Sequence, residues 1–176
     1  MEEYLAGSEN YKTAAVMVLL VPGAANPPAK VILMERTSGP DVHAGQISFP
    51  GGKQEHDETL LDTALRETEE ELGLRASAVT VIGPMTSLFI PASNFFVQPF
   101  LGFLPEVPEM APSAAEVNRV LMPDLHLFSS GMEIQEGIFH SSKGFSVQAP
   151  YFRVEGVRIW GATAMMIAEM AALLEE

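Results

Sequence analysis

The stretch from Gly52 to Leu74 reads GKQEHDETLLDTALRETEEELGL and contains the most clearly delimited helix of the chain. Thr59, followed three residues later by Asp62, resembles a capping box, in which both side chains bond backbone amides at a helix start. Gly73 stands where a left-handed residue would end the helix. The segment therefore predicts a helix with a core-facing stripe at helical spacing: Leu61, Ala64, Leu65, Thr68 and Leu72.

Outside this helix the chain predicts mainly strands. Apolar runs at 12–22 and 30–36 indicate two strands joined as a hairpin, and 46–49 indicates a short extended segment. Further strands are expected at 78–83, 86–91, 96–104 and 117–122, then a helical turn at 123–129, two or three strands within 136–160, and a terminal helix at 162–175. This order favours an α/β (α+β) fold with a central mixed sheet between helices, in a single domain spanning 1–176.

The composition argues against several classes of protein. The chain has no cysteine and a net charge of −13, which argues against disulfides and against a basic nucleic-acid footprint. Its apolar run from Ala14 to Pro22 is shorter than the ~20 residues that cross a bilayer. We expect a cytoplasmic protein that binds neither nucleic acid nor membrane. For a phosphate-bearing substrate, a bound divalent cation is the usual way to reconcile an acidic site with a polyanion.

Three glutamates of the predicted helix point to such a cation. Glu67, Glu70 and Glu71 are spaced i, i+3 and i+4, so they share one helix face, where their charges repel. Carboxylate oxygens are hard ligands suited to Mg²⁺ or Mn²⁺. The alternative is a solvated acidic face, which describes most charge runs.

The wider spacing resembles the Nudix box, G-x5-E-x7-R-E-U-x-E-E-x-G-U, where U is a bulky aliphatic residue. The matching positions are Gly52, Glu58, Arg66, Glu67, Glu70, Glu71, Gly73 and Leu74. Thr68 departs from the pattern at the first U, where we expect a packing adjustment. The resemblance implies a Nudix-type α/β/α sandwich and a hydrolase that acts on a phosphoanhydride bond.

The same resemblance implies a metal site. Glu67 and Glu71 look like the main ligands of Mg²⁺ or Mn²⁺, with Glu70 as a further ligand or a partner through water. The Gly51–Gly52 pair lets the backbone approach the ion, so that the Gly52 carbonyl becomes a ligand candidate. An ordinary turn at the two glycines is compatible with this role.

The resemblance also implies catalytic roles around the ion. Arg66 looks like the cation that orients a box carboxylate, and Glu58 looks like a residue that fixes the loop–helix geometry. A metal-activated water would attack a phosphorus of the diphosphate. The general base stays open among Glu67, Glu70 and Glu116, the last of which is equally compatible with a solvated strand edge.

Residues upstream of the box resemble the coenzyme A pyrophosphatase subgroup, whose motif is roughly L-L-T-x-R-[SA]-x3-R-x3-G-x3-F-P-G-G. The matching positions are Arg36, Gly45, Phe49, Pro50, Gly51 and Gly52. The resemblance implies cleavage of coenzyme A to 3′,5′-ADP and 4′-phosphopantetheine. Asp41 stands in place of the second arginine, a natural clamp for the 3′-phosphate. Either Arg36, Lys53 or Arg119 takes that role, or the substrate differs.

Three residues are candidates for substrate binding: Arg36 for phosphate, His43 in the loop before the box, and Phe49 as a stacking surface for adenine. Each has a structural alternative: a strand-end charge, a hydrogen-bonding histidine and a core phenylalanine. Other nucleoside diphosphate derivatives also fit, namely ADP-ribose, NADH or a nucleoside triphosphate. A non-catalytic nucleotide sensor of the same fold is less consistent with a complete set of box carboxylates.

The terminal helix leaves two interpretations open. It carries a methionine-rich apolar set: Met165, Met166, Ile167, Met170, Leu173 and Leu174. Such a stripe is more often core than a binding groove. Because it is apolar on more than one face, it is also compatible with a homodimer surface.

Overall fold

The computed structural model describes residues 11–25, 28–37, 45–128, 134–140 and 146–175. Within these ranges the strands are β1 (Lys12–Pro22), β2 (Ala29–Arg36), β3 (Ile47–Ser48), β4 (Gly51–Lys53), β5 (Thr80–Pro84), β6 (Leu88–Ile90), β7 (Phe95–Phe103), β8 (Val117–Leu121), β9 (Gln135–His140), β10 (Ser146–Val154) and β11 (Val157–Trp160). The helices are α1 (Leu60–Leu72) and α2 (Gly161–Glu175), with 3₁₀ turns at Ala76–Ala78 and Leu125–Phe128. No described helix is long and apolar enough to span a membrane.

The central sheet is built around β1. It pairs antiparallel with β2, as the predicted hairpin requires, and antiparallel with β4. On its other side β1 runs parallel to β7, which also pairs antiparallel with β5 and β6. Strands β3 and β8 pair with β2. The mixed sheet expected from the sequence is therefore confirmed.

Each face of this sheet is covered by a hydrophobic core. Side chains of β1 alternate between the two cores because successive residues of a strand point to opposite faces. The core beneath α1 includes Ala15, Met17, Leu19, Ala64 and Leu72. The core that contains α2 includes Val18, Leu20, Leu33, Met166, Ile167 and Met170. The chain is thus a sheet with one helix on either side, as predicted.

A second sheet, β9–β10–β11, leads into α2. It is held by an aromatic cluster in which the Phe139 and Trp160 rings stack with centroids 4.2 Å apart. The Thr163 hydroxyl on α2 donates to the backbone oxygen of Ile47 on β3 at 3.0 Å. This bond fixes the start of α2 against the strand that precedes the box.

The ends of α1 follow the sequence prediction, but its buried face does not follow it completely. Both bonds of the Thr59 capping box are present, and Gly73 ends the helix with φ 71°. Leu61 and Leu65 are only half-buried, whereas Thr63 and Glu71 are buried. The hydroxyl of Thr63 is satisfied by the Glu58 carboxylate at 2.8 Å, which allows its burial.

Two further predictions differ in detail. The strand expected at 78–83 begins later, at Thr80, because a 3₁₀ turn continues the loop after α1 through Ala78. In α2 the methionine-rich stripe is divided: Met166 and Met170 are buried in the core, while Met165 is 59% exposed. The core interpretation is confirmed for the inward face, and a homodimer surface stays a prediction.

Candidate active site

Glu71 is the most buried carboxylate of the described residues, with 1% of its surface exposed. Its Oε2 accepts a hydrogen bond from the Gly51 amide at 2.8 Å, and its Oε1 accepts one from Arg36 Nη1 at 3.1 Å. Burial nevertheless raises the pKa of Glu71 to about 7, because desolvation of the charged form outweighs these bonds. One of the three glutamates on the predicted acidic helix face, Glu71, is therefore buried in the interior.

Gly51 and Gly52 bring strand β4 against this helix. A Cβ built on Gly52 would lie 2.5 Å from the Glu67 carboxylate carbon, so the glycine leaves the space that this carboxylate occupies. A Cβ on Gly51 would lie 2.3 Å from the backbone oxygen of Ala15 on β1. The two glycines lie in strand β4 and let its backbone approach a carboxylate; approach to a metal ion, with the Gly52 carbonyl as a ligand, stays a prediction.

Arg66 organises three of the box glutamates. Its Nε and Nη2 donate to the two carboxylate oxygens of Glu58 at 3.0 and 2.9 Å, a bidentate pair. Its Nη1 donates to Glu67 Oε1 and to Glu70 Oε2, both at 3.0 Å. The hydrogen bonds from Arg66 lower the pKa of Glu58 to about 2, and the same bonds raise the pKa of Arg66.

The three helix glutamates have different surroundings. The Glu67 side chain is 14% exposed and its pKa is raised by burial, whereas the Glu70 side chain is 55% exposed. In the part of the chain that the structure describes, no group of three or more acidic or histidine side chains converges into a ready metal site. Both Glu71 oxygens are hydrogen-bonded, by Arg36 and the Gly51 amide, and Arg66 bonds one oxygen each of Glu67 and Glu70.

Glu116, the loop candidate for the general base, lies near the buried pair. Its charge contributes to the raised pKa of both Glu67 and Glu71. The Thr37 amide donates to the Glu116 backbone oxygen at 2.9 Å, which links this turn to the end of β2 beside Arg36. The fold therefore brings Glu116 to the box from a distant part of the sequence.

The donor chemistry fits a divalent cation. Glu67, Glu71 and Glu116 place negative charge together, and the first two are buried enough that their ionised forms are disfavoured. A hard dication is the counter-ion that carboxylates of this kind accept. The backbone of Gly52 passes close to the Glu67 carboxylate, and its carbonyl stays a predicted ligand. Glu70, which is exposed and bonded to Arg66, is the least enclosed of the expected ligands, and the ligand set stays a prediction.

A cavity of about 580 Å³ opens beside the two glycines. Its described lining contains three cations, Arg36, Lys12 and Lys53, and no aspartate or glutamate. The rest is largely apolar and includes Ile47, Phe95, Val97, Trp160 and Met166. The protein has a net charge of −13, but the described charged side chains that line this cavity are all positive. The cavity can therefore attract an anion.

The predicted substrate-binding residues differ in position. Arg36 lines the cavity and also bonds Glu71, so it joins the two halves of the site. Phe49 contributes to the lining but is 1% exposed and belongs to the core, which favours its structural alternative. His43 and Asp41 lie outside the described residues. Sequence patterns did not indicate Lys12, whose only mark is a charge at the start of an apolar strand.

Glu58→Gln is expected to lower stability at neutral pH and to have little effect in acid. The depressed pKa means that ionised Glu58 stabilises the fold above its ordinary value of 4.5, and that this contribution is lost as the pH falls toward 2. The difference in melting temperature between wild type and variant should therefore be largest at pH 7 and shrink on acidification. Thermal unfolding at several pH values measures it.

Glu55→Gln is the matched control for this experiment, since it removes one charge from the same loop but from an exposed side chain. A stability difference for Glu58→Gln that does not change with pH would show that the bidentate pair with Arg66 is not its source.

Comparison with known proteins agrees with this geometry. The family model described as NUDIX domain matches residues 11–120. The chain is 33% identical over 166 residues to an uncharacterized Nudix hydrolase, NudL, of Yersinia enterocolitica, covering 93% of this chain and 82% of the relative. It is 32% identical over 154 residues to NudL of Yersinia pestis, covering 87% and 76%.

Solved structures share the fold at lower identity. A MutT/nudix family protein from Enterococcus faecalis aligns over 100% of this chain and 70% of its own, with TM-score 0.58 and 18% identity. A C. elegans Ap4A hydrolase in a binary complex aligns over 65% and 81%, with TM-score 0.55 and 18% identity. The chain belongs to the Nudix family. It is a Nudix hydrolase, an enzyme that acts on phosphoanhydride bonds.

Proposed function

We propose that this enzyme is a divalent-metal-dependent pyrophosphohydrolase that cleaves coenzyme A to 3′,5′-ADP and 4′-phosphopantetheine. The observation that carries the proposal is the cavity beside Gly51 and Gly52, which combines three cations with an extended apolar wall. Coenzyme A has the matching parts, since it joins a highly phosphorylated nucleotide to a long, weakly polar pantetheine chain. The upstream motif around Arg36 and Phe49 supports the same substrate.

A Mg²⁺ or Mn²⁺ ion held by Glu67, Glu71 and the Gly52 carbonyl would neutralise diphosphate charge and make a bound water more acidic. Arg66 holds the Glu67 carboxylate in place through one hydrogen bond of 3.0 Å. Arg36, which reaches both Glu71 and the cavity, stabilises negative charge on the diphosphate.

Glu116 is the group to which we assign the proton of the attacking water. It lies near both buried carboxylates and is itself exposed, so a proton that it accepts passes readily to solvent. Glu70 is less suited, since its oxygen is bonded to Arg66. One water adds to a phosphorus, the anhydride P–O bond breaks, and the leaving phosphate departs as the second product.

Other diphosphate substrates share part of this chemistry. One structural neighbour is an Ap4A hydrolase. ADP-ribose, NADH and nucleoside triphosphates would also bring phosphate to Arg36. They lack the long weakly polar chain that the apolar wall of the cavity would accommodate. A nucleotide sensor would bind them without turnover.

The test is a substrate panel. Purified protein is incubated with Mg²⁺ or Mn²⁺ and, separately, coenzyme A, ADP-ribose, NADH or ATP, and products are identified by mass. We expect the highest kcat/KM for coenzyme A, with 3′,5′-ADP and 4′-phosphopantetheine as products. A higher kcat/KM for any other member of the panel would replace coenzyme A as the substrate, and binding without turnover of all four would favour the sensor.

A further inference from the structure

Two lysines meet on one face of the central sheet, at the mouth of the cavity. In the β1–β4 pair, Ala14 lies opposite Lys53. Lys12 is two residues before Ala14 on the same strand, so its side chain and that of Lys53 point to the same face. Both line the cavity. Register, rather than closeness in sequence, places both lysine side chains on the cavity face of the sheet.

Their neighbours distinguish these lysines from other cations that might bind a substrate phosphate. Arg119 forms an ion pair with Glu35 at 2.6 Å and does not line the cavity, and Arg36 is bonded to the buried Glu71. Within the described part of the chain, neither Lys12 nor Lys53 has a carboxylate partner. No carboxylate of the described residues neutralises their charge, and both lysines line the cavity.

The surroundings of the lysines suit the nucleotide end of a substrate. Lys12 pairs in register with Phe95, and its Nζ lies 5.6 Å from the centroid of that ring. The cavity lining thus combines one aromatic ring with two lysine side chains. The part of the lining that comes from Trp160 and the start of α2, including Met166, carries no charged side chain among the described residues.

We propose that Lys12 and Lys53 form a subsite for a phosphate monoester that the substrate carries in addition to its diphosphate, and so select a 3′-phosphorylated nucleotide. The proposal rests on the function proposed above. It places the nucleotide end at β1, β4 and β7 and the weakly polar chain along Trp160 and α2. The subsite would take over the role of the second arginine of the motif, for which this chain has Asp41.

The kinetic test compares coenzyme A with dephospho-coenzyme A, which lacks only the 3′-phosphate. Lys12→Met and Lys53→Met are each expected to raise KM for coenzyme A roughly 10-fold, because a charge-assisted hydrogen bond is lost. For both variants, kcat and the KM for dephospho-coenzyme A should stay near wild type. Lys30→Met is the matched control, since Lys30 lies on the same sheet but pairs with Asp124 at 3.4 Å, away from the cavity.

A binding test needs neither metal nor turnover. Trp160 is the only tryptophan of the chain and lines the cavity, so its fluorescence reports occupancy. In the presence of a chelator, wild type should bind 3′,5′-ADP roughly 10-fold more tightly than AMP, and each lysine variant should lose this preference.

Equal affinity of wild type for the two nucleotides would overturn the subsite, as would lysine variants that keep the preference. If neither coenzyme is hydrolysed but the preference for 3′,5′-ADP is present and depends on the lysines, the proposed function fails and the subsite stands. If coenzyme A and dephospho-coenzyme A are both hydrolysed and the lysine substitutions change the two KM values equally, the subsite fails and the proposed function stands.

Discussion

Glu71→Gln is expected to lower kcat/KM by about 100-fold or more while leaving the metal-free fold at least as stable as wild type at pH 8. Outer partners of a metal site are worth 10- to 100-fold in activity, so loss of a ligand charge should cost at least the upper figure. The substitution should not lower the melting temperature of the metal-free protein at pH 8, because the Glu71 carboxylate is buried and its pKa is raised to about 7.

The sign of the pH dependence follows from that shift. A carboxyl whose pKa is raised in the folded state contributes stability at low pH, and this contribution is lost as the pH rises toward 7. Above that pH the wild-type protein contains the buried, charged carboxylate of Glu71, whereas the Glu71→Gln variant has an uncharged amide there. The melting temperature of the variant, relative to metal-free wild type, should therefore increase between pH 5 and pH 8.

Glu69→Gln is the control, since Glu69 is exposed on the same helix. Its activity should remain close to wild type. Retention of more than a tenth of wild-type activity by Glu71→Gln would contradict the assignment of Glu71 to the metal site, and a large loss of stability at pH 8 would contradict the cost of its burial.

Gly51→Ala is expected to destabilise the fold by about 3 kcal/mol or more, the upper range for overpacking a core. The added Cβ would lie 2.3 Å from the Ala15 oxygen and 2.5 Å from the Val16 Cα. Both atoms belong to the backbone of β1, the central strand, which cannot shift without disturbing its pairing with β2 and β7. Thermal or denaturant unfolding measures the loss.

Gly52→Ala is the matched variant, one residue away with a different outcome. Its Cβ would meet the end of the Glu67 side chain at 2.5 Å, and a flexible side chain can move aside. We expect a fold of nearly normal stability and a large loss of activity, because Glu67 would be displaced. Equal destabilisation by both substitutions, or an active Gly52→Ala enzyme, would contradict these roles of the two glycines.

Local sequence was sufficient for the parts of the molecule that depend on local contacts. The bounds of α1 follow from Thr59, Asp62 and Gly73, whose capping bonds join residues close in the chain. The hairpin of β1 and β2 follows from two apolar runs separated by a short loop. The inward turn of Thr68 was also expected, and its hydroxyl bonds the Ala64 oxygen at 2.7 Å.

The features that required the structure all depend on contacts between distant segments. The spacing of three glutamates does not reveal that Glu71 is enclosed by Gly51 and Arg36 while Glu70 faces solvent. The approach of Glu116 depends on how the turn before β8 joins the end of β2. Lys12 could not be connected with Lys53 until the β1–β4 register was known.

In the proposed reaction, water attacks a diphosphate with the help of a divalent cation at the α1 carboxylates. The most direct measurement is mass analysis of the products formed from coenzyme A and Mn²⁺ in water enriched in the heavy oxygen isotope, with and without a chelator. We predict that one of the two phosphate products carries a single heavy oxygen atom and that chelation abolishes the reaction. Turnover that persists without metal, or products that contain no oxygen from water, would contradict metal-dependent hydrolysis at this site.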